Sequence, residues 1–416
     1  MSATHDVTSR SIDDHLSQVL HLARRSISQG ARLRDSVGCV LATDVRAQRQ
    51  LPPFDNSAMD GFLVHAADLT GAGPWTFPVA GDIPAGSSPI SVPFGSAVRI
   101  MTGAPVPPGD GLIVVPVEDT NIDRGPTPLP SQVVVHYADK ARDHIRRAGD
   151  ATAIGDLVAQ AGNRIDSGTL AAFISMGIET VDVFRAPVVA VISTGEELVE
   201  TALDTTETQI ADSNRPMIAA LADANGAHKV LEFHAGDSEE AFRSVLDQAS
   251  RRADIVITSG GISEGAFDVV RAVTSTSSAM WFGPVAQRPG APQGAGEWNG
   301  AALLCLPGNP VAAFSSFHLY GAPLIRTAGG RPAPQSVLSR PSLSATVAPD
   351  FPRPHRPVPL VVPVRLSFEG GTAAATPFTT RGPGSHLVGA LVDTQGLAIV
   401  PPGHTGDQVT VLLTHT

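Results

Sequence analysis

The stretch Ile255-Val256-Ile257-Thr258-Ser259-Gly260-Gly261-Ile262-Ser263-Glu264-Gly265 is a continuous apolar run that breaks into a polar loop opened by paired glycines. A short β-branched run of this kind, bounded by turn residues, suits a strand buried on both faces. Outward from it the same alternation repeats. Strand-like runs at 188–192, 230–233 and 302–306 alternate with helical segments at 216–224 (ending at Gly226), at 239–249 and from about 311. Strand–helix alternation of this kind builds βαβ units, so residues 184–330 are expected to form a doubly wound parallel α/β domain.

The chain has 416 residues. At about 150 residues per domain this predicts two to four domains. Hydrophobic residues at 42% against 17% charged residues supply several cores and exclude disorder. The 29 basic against 40 acidic residues leave a charge of −11, and aromatics make up only 5%. Nucleic acid is therefore not expected as a partner, being repelled by the charge and offered few rings to stack on. Cys39 and Cys305 are the only cysteines, too few for a disulfide framework or a cysteine-rich metal site. Asp6, Asp13 and Asp14 stand where a signal peptide would be basic, and no apolar run reaches membrane-spanning length. A cytoplasmic location with no membrane partner is the expectation. Lys140 and Lys229 are the only lysines, so arginine carries nearly all positive charge.

Ser11, Asp13 and Asp14 suit a helix start, followed by Ile12, Leu16, Val19, Leu20, Ala23 and Ile27 at helical spacing. Residues 51–142 change to short apolar runs broken by Gly and Pro, which predicts a β-rich insertion. Residues 143–183 are read as a return to the domain begun by residues 1–50. After Gly330, Arg331-Pro332-Ala333-Pro334 marks a linker into 331–416, where strand-like runs without helical periodicity predict a small all-β domain.

In an open parallel sheet, ligands bind beyond the carboxyl ends of the strands, at exposed amides. Three runs end in suitable loops: Ser193-Thr194-Gly195-Glu196-Glu197, Ser259-Gly260-Gly261-Ile262-Ser263, and Pro307-Gly308-Asn309-Pro310. Thr194 acting as a helix cap, a plain Gly-Gly turn, and Asn309 capping a helix with Pro310 at its first position explain each loop singly. Their threefold recurrence is what points to phosphate binding. Glu197, Asp237 and Asp268 each fall near a strand end. Carboxylates beside phosphates call for a divalent cation, most simply Mg²⁺. The residues alone thus predict a metal-assisted site for a phosphorylated or nucleotide-bearing small molecule. In the insertion, the run Pro52-Pro53-Phe54-Asp55-Asn56-Ser57-Ala58-Met59-Asp60-Gly61 is denser in turn and acidic residues than a hairpin needs. There Asp55 suits an Asx-turn, and Asp60 is the candidate functional acid. A second loop, Arg99-Ile100-Met101-Thr102-Gly103-Ala104-Pro105, delivers a strand into a Thr-Gly turn.

Taken in order with Gly81-Asp82-Ile83-Pro84-Ala85-Gly86 and Asp212-Ser213-Asn214, these segments make the whole chain resemble the MoeA family of molybdopterin molybdotransferases, to which the E domain of gephyrin is also similar. The resemblance implies an elongated discontinuous domain (1–50 and 143–183), a β-rich insertion (51–142), a molybdopterin-binding α/β domain (184–330) and a C-terminal β-barrel (331–416). It implies a homodimer with the cleft between the α/β domain of one subunit and the insertion of the other. The implied reaction takes adenylylated molybdopterin and molybdate, cleaves the pyrophosphate link with Mg²⁺ assistance, places molybdenum on the dithiolene and releases AMP. The molybdopterin adenylyltransferase and recipient molybdoenzymes are implied partners. Position by position, Glu197, Asp237 and Asp268 would be acidic, metal-facing residues. Asp60 and Thr102 would act across the dimer. Thr194, Gly260, Gly261, Ser263, Pro307, Gly308 and Asn309 would contact substrate, with Ser385 matching a serine of the last domain.

The chain departs from the family pattern at three places. Pro284 and Ala291 stand in a segment where the family carries lysines, leaving Arg288 as its cation. Ala151 replaces the second acid of a Gly-Glu-Asp pattern, and Glu264 adds a charge to the glycine loop. These departures define the alternative: a divergent paralogue that binds molybdopterin or a partner enzyme with little or no transferase activity.

Overall fold

A computed structural model of the chain describes residues 9–24, 27–262, 268–379 and 387–415. Its centre is a six-stranded sheet in the order Lys229–Ala235, Val188–Thr194, Ile255–Ser259, Ala301–Leu306, Pro292–Trp298, Met280–Pro284. The first four strands are parallel, and their side chains alternate between two cores. Val189, Val191, Ile255, Ile257, Leu304 and Leu306 face the helix Asn214–Ala224 and the helical run from Pro310 to Ala328. Ala190, Ile192, Val256, Leu303 and Cys305 face the helices Glu239–Ser250 and Val269–Thr274. Both faces are covered, which is why the strand sequences lack polar alternation.

The sheet is mixed, not wholly parallel. Its far edge is an antiparallel hairpin, Met280–Pro284 with Pro292–Trp298. That hairpin carries Pro284, Pro292, Gly294 and Gly296, residue types depleted in strands, so its pattern gave no strand signal.

The first helix spans Ile12–His21. Ser11 caps it by accepting the Asp14 amide at 3.0 Å, and Asp13 and Asp14 lie in its first turn. The helix stops before the expected Ile27, which is exposed and adjoins the strand Ser28–Arg32. Residues 1–50 were expected to belong together with 143–183. The helix instead buries Leu16 and Val19 in the α/β core beside Tyr320 and Val285. Each buried aliphatic side chain of this kind contributes about 1.5–3 kcal/mol, which ties the helix to that unit. The rest of the N-terminal segment pairs with strands between residues 157 and 184. Ser28–Arg32 runs antiparallel to Thr180–Phe184, Val45–Arg46 pairs Leu157–Ala159, and Leu33, Leu41 and Val45 share a core with Ile165, Phe173 and Val181.

Between those segments lies a five-stranded sheet in the order Leu112–Pro116, Gly61–His65, Ala97–Ile100, Trp75–Ile83, Gln132–Val135. The C-terminal segment closes a five-stranded barrel from Ser342–Thr346, Thr372–Pro377, Leu360–Glu369, Gly396–Val400 and Gln408–Leu413. Val361, Leu397 and Leu412 of the barrel extend the α/β core. Among the described residues no helix is long and apolar enough to cross a membrane.

Candidate active site

The sheet register sets three strand ends level, with Ser193 opposite Ser259 and Ser259 opposite Leu306. The loops beyond them touch backbone to backbone. The Gly260 amide donates to the Leu306 carbonyl at 3.1 Å, and a Cβ on Gly308 would stand 3.2 Å from the Gly260 Cα. Only glycine at 308 permits that approach without displacement. Asn214, first residue of its helix, laces the loops by donating Nδ2 to Ser259 Oγ at 2.9 Å and to the Gly308 carbonyl at 2.7 Å. The cavity beside these loops, about 330 Å³, is lined by Thr194, Glu197, Asp212, Asn214, Gly260 and Gly261 among others. A neighbouring cavity of about 480 Å³ shares Gly308 and is lined by Arg288, Gly290, Pro307 and Asn309, with Leu360 of the barrel at its rim.

Most of the expected residues of the α/β unit therefore border these two hollows. Thr194 is buried at the end of its strand, and its Oγ1 lies close to Gly261. Asp237 is exposed, its Oδ2 accepting the Glu196 amide at 3.1 Å, which ties two strand-end loops together. Asp268 takes the N-cap position of Val269–Thr274, the helix after the Gly260 loop. Asn309 takes the N-cap position of Pro310–Ser316, but its side chain makes no capping bond. Its Oδ1 is buried with no partner among the described residues, beside the larger cavity. Ser263, Glu264 and Ser385 lie outside the described residues.

The metal expectation needs correction. Among the described residues no group of three or more His, Cys, Asp or Glu side chains stands close enough to hold a metal ion. Glu197, Asp237 and Asp268 are thus not assembled into a three-carboxylate cage. They sit on separate strand-end loops, and Asp237 spends one oxygen on a backbone amide. Their oxygen donors suit a hard cation shared with substrate phosphates, which takes only one or two carboxylates from the protein.

Asp60 and Thr102, read separately from the sequence, form one unit. Gly61 pairs with Ile100 across two antiparallel strands, so the residues flanking that pair meet. Asp60 Oδ1 accepts both the Thr102 amide and its hydroxyl, each at 2.7 Å. These two bonds, the amide first, hold the Asp60 carboxyl below the usual carboxylate range. The pair borders a hollow of about 520 Å³ with Arg99, whose guanidinium grips Asp82 at 2.6 Å. This hollow shares no lining residue with the two strand-end cavities.

Asp55 does not make the Asx-turn weighed above. Its carboxylate accepts the Ala148 amide at 2.8 Å and the Arg147 guanidinium at 2.9 Å, clamping the insertion's entry to its exit. Ala151, in turn, donates its amide to the Leu51 carbonyl at 2.9 Å.

The sequence reading assigned no role to the buried amides that carry Arg288. Gln287 is buried, accepts from the Tyr320 hydroxyl, and donates to the Pro289 carbonyl at 3.0 Å and to Ser316 Oγ at 3.2 Å. Gln293 donates to Gly290 O at 2.8 Å and to the same Ser316 Oγ at 2.7 Å. The network fixes the 285–291 loop from below while Arg288 points outward to the cavity. Two glutamines flanking a Pro-Gly turn were the available signal.

Glycine-rich strand ends in a mixed α/β sheet, joined to a β-rich insertion and a barrel, accompany two family matches: residues 190–327 match the family described as "Probable molybdopterin binding domain", and residues 10–177 match "MoeA N-terminal region (domain I and II)". The chain belongs to the MoeA family of molybdopterin molybdenumtransferases. It is 36% identical over 404 residues to Molybdopterin molybdenumtransferase 2 of Mycobacterium tuberculosis, covering 94% of this chain and 95% of that one. To the Molybdopterin molybdenumtransferase of Bacillus subtilis it is 31% identical over 402 residues, covering 95% and 91%. A structure of the molybdopterin biosynthesis MoeA protein from Pyrococcus horikosii aligns over 98% of this chain and 99% of its own, with TM-score 0.74 and 25% identity.

Proposed function

We propose that this chain is a molybdopterin molybdotransferase of molybdenum cofactor biosynthesis. It takes adenylylated molybdopterin and molybdate, cleaves the pyrophosphate link, leaves molybdenum on the dithiolene and releases AMP. The observation that carries this reading is the contact of the Gly260 and Gly308 loops above Asn214, which leaves room for the backbone of a phosphate-bearing ligand beside Thr194. Asn309, whose buried Oδ1 has no partner among the described residues, has an acceptor to offer the N–H groups of the pterin. Arg288 supplies the planar cation for molybdate or phosphate oxygens. Mg²⁺, when bound, would offset phosphate charge, held by one or two of Glu197, Asp237 and Asp268 together with substrate oxygens.

The protein works in this reading as a homodimer with four-part protomers, the Asp60–Thr102 pair of one subunit completing the cleft of the other. The absence of any shared lining residue between the insertion hollow and the strand-end cavities favours that arrangement. Substrate would arrive from the molybdopterin adenylyltransferase and product pass to recipient molybdoenzymes, in the cytoplasm. Both cysteines are free, in keeping with a reducing compartment.

Purified protein given adenylylated molybdopterin, Mg²⁺ and molybdate is expected to release AMP and yield cofactor that activates an apo-molybdoenzyme. Failure of both across a range of molybdate concentrations would remove the reading. The second reading, a paralogue that binds molybdopterin without efficient insertion, is favoured by Pro284, Ala291 and Ala151, none of which can supply the charge the family pattern has there. It predicts tight molybdopterin binding without complementation of a strain lacking its transferase; full complementation rejects it.

A further inference from the structure

A fourth hollow lies apart from both parts of the proposed cleft, where the helix Ala322–Ala328 hands the chain to the 331–341 linker and the barrel. Its volume is about 390 Å³, and Arg326, Arg331 and Arg340 line it with Thr327, Gln335 and Ser339. No Asp or Glu is among the described residues that line it, although the chain as a whole carries a charge of −11. Burial, and then the charge of Arg331 and Arg164, lowers Arg326 to about 10. Burial, and then Arg326, lowers Arg340 to about 10. Arg326 and Arg340 stay protonated at neutral pH, so the fold confines like charges in a poorly solvated place.

Arg340 is anchored by its Nη1 donating to the His318 carbonyl at 2.6 Å, and the Arg331 amide donates to the Arg326 carbonyl at 3.0 Å. Thr327 is only 9% exposed, and its Oγ1 has no hydrogen-bond partner among the described residues. A buried hydroxyl left unsatisfied costs stability unless something outside the chain completes it. Guanidinium groups and a hydroxyl lining one hollow match a tetrahedral oxyanion, which accepts paired N–H bonds and an O–H bond together.

We propose that this hollow is a second oxyanion site, taking a dianion of the phosphate or molybdate type at the junction between the α/β unit and the barrel. It shares no lining residue with the strand-end cavities, so it stands or falls independently of the transferase reading. Equilibrium dialysis against inorganic phosphate is expected to show wild type binding one anion more per chain than Arg331→Gln. Without anion, Arg331→Gln is expected to melt no lower than wild type, because it relieves repulsion; a merely structural arginine would lower the melting temperature. Equal stoichiometry in the two proteins overturns the proposal. Crystals of wild type soaked in molybdate need no variant. Anomalous scattering is expected between Arg326, Arg331 and Arg340, and molybdenum found only at the strand ends also overturns it. Phosphate competition during the soak separates the sources: displacement at equal concentration assigns the site to phosphate, persistence to molybdate.

Discussion

Asp55 is the residue whose role differs most from its sequence reading, and its chemistry gives a pH prediction. The Ala148 amide first, then the Arg147 guanidinium, depress its carboxyl in the folded chain. A depressed carboxylate contributes stability above its unfolded value of about 3.9 and loses that contribution as pH falls through the folded value. Asp55→Asn is therefore expected to cost up to about 1 kcal/mol at neutral pH, a small figure because the pair is partly exposed. The difference from wild type should vanish in acid, measured by urea unfolding at several pH values. Asp268 is the contrasting case. Asp268→Asn preserves volume at a helix N-cap that asparagine also suits, so stability should change little, whereas turnover should fall about tenfold or more if a charged oxygen is required. A matching fall in melting temperature would contradict that role. Asp60 and Thr102 were each singled out by a glycine that follows, but the bond between them was not legible, since it depends on the pairing of Gly61 with Ile100. Asn214 was not, because its importance lies in reaching two loops 45 and 94 positions away along the chain.

The strands 188–192, 255–258 and 302–306 were legible because burial on both faces leaves an unbroken apolar run, whereas the edge strand at 230–233 is only partly buried and carries exposed Glu232. The edge hairpin was not, because its prolines and glycines conceal a strand whose pairing is supplied by its neighbours. The first helix was legible from Ser11 and its apolar spacing, but the partner of its buried face was not, since periodicity gives a face and no address. The 285–291 loop shows what such elements do for the site. Its backbone makes single bridges, Val285 with Arg10 and Arg288 with Leu360, and Gln287, Gln293, Ser316 and Tyr320 add buried hydrogen bonds that hold it. Tyr320→Phe removes one hydroxyl and leaves the Gln287 carbonyl oxygen buried without its partner, at a cost of about 1–3 kcal/mol. Loosening the loop should raise KM for molybdate more than it lowers kcat, because Arg288 is displaced from the cavity and not removed. An unchanged KM in a folded Tyr320→Phe protein would separate the network from the cation it carries.

At the scale of the molecule, the two halves of the proposed site occupy different hollows of one chain, the Asp60–Thr102 pair in one and the glycine loops with Asp237 beside them in the other. A cleft completed across a twofold axis explains why a transferase would be divided in this way, and it makes a prediction that no single-chain site can meet. Asp60→Ala and Asp237→Ala should each abolish most turnover as homodimers. If the halves belong to different subunits, a heterodimer of the two variants has one cleft bearing both lesions and one bearing neither. Random reassortment makes half the dimers hybrid, so an unfolded and refolded equimolar mixture should regain about a quarter of wild-type turnover, as isologous twofold pairing requires. If instead each chain completes its own cleft, every site in the mixture carries one lesion and no activity returns. The assay needs only AMP release from the mixed and unmixed proteins, with size-exclusion chromatography to show that all three samples are dimers of equal yield.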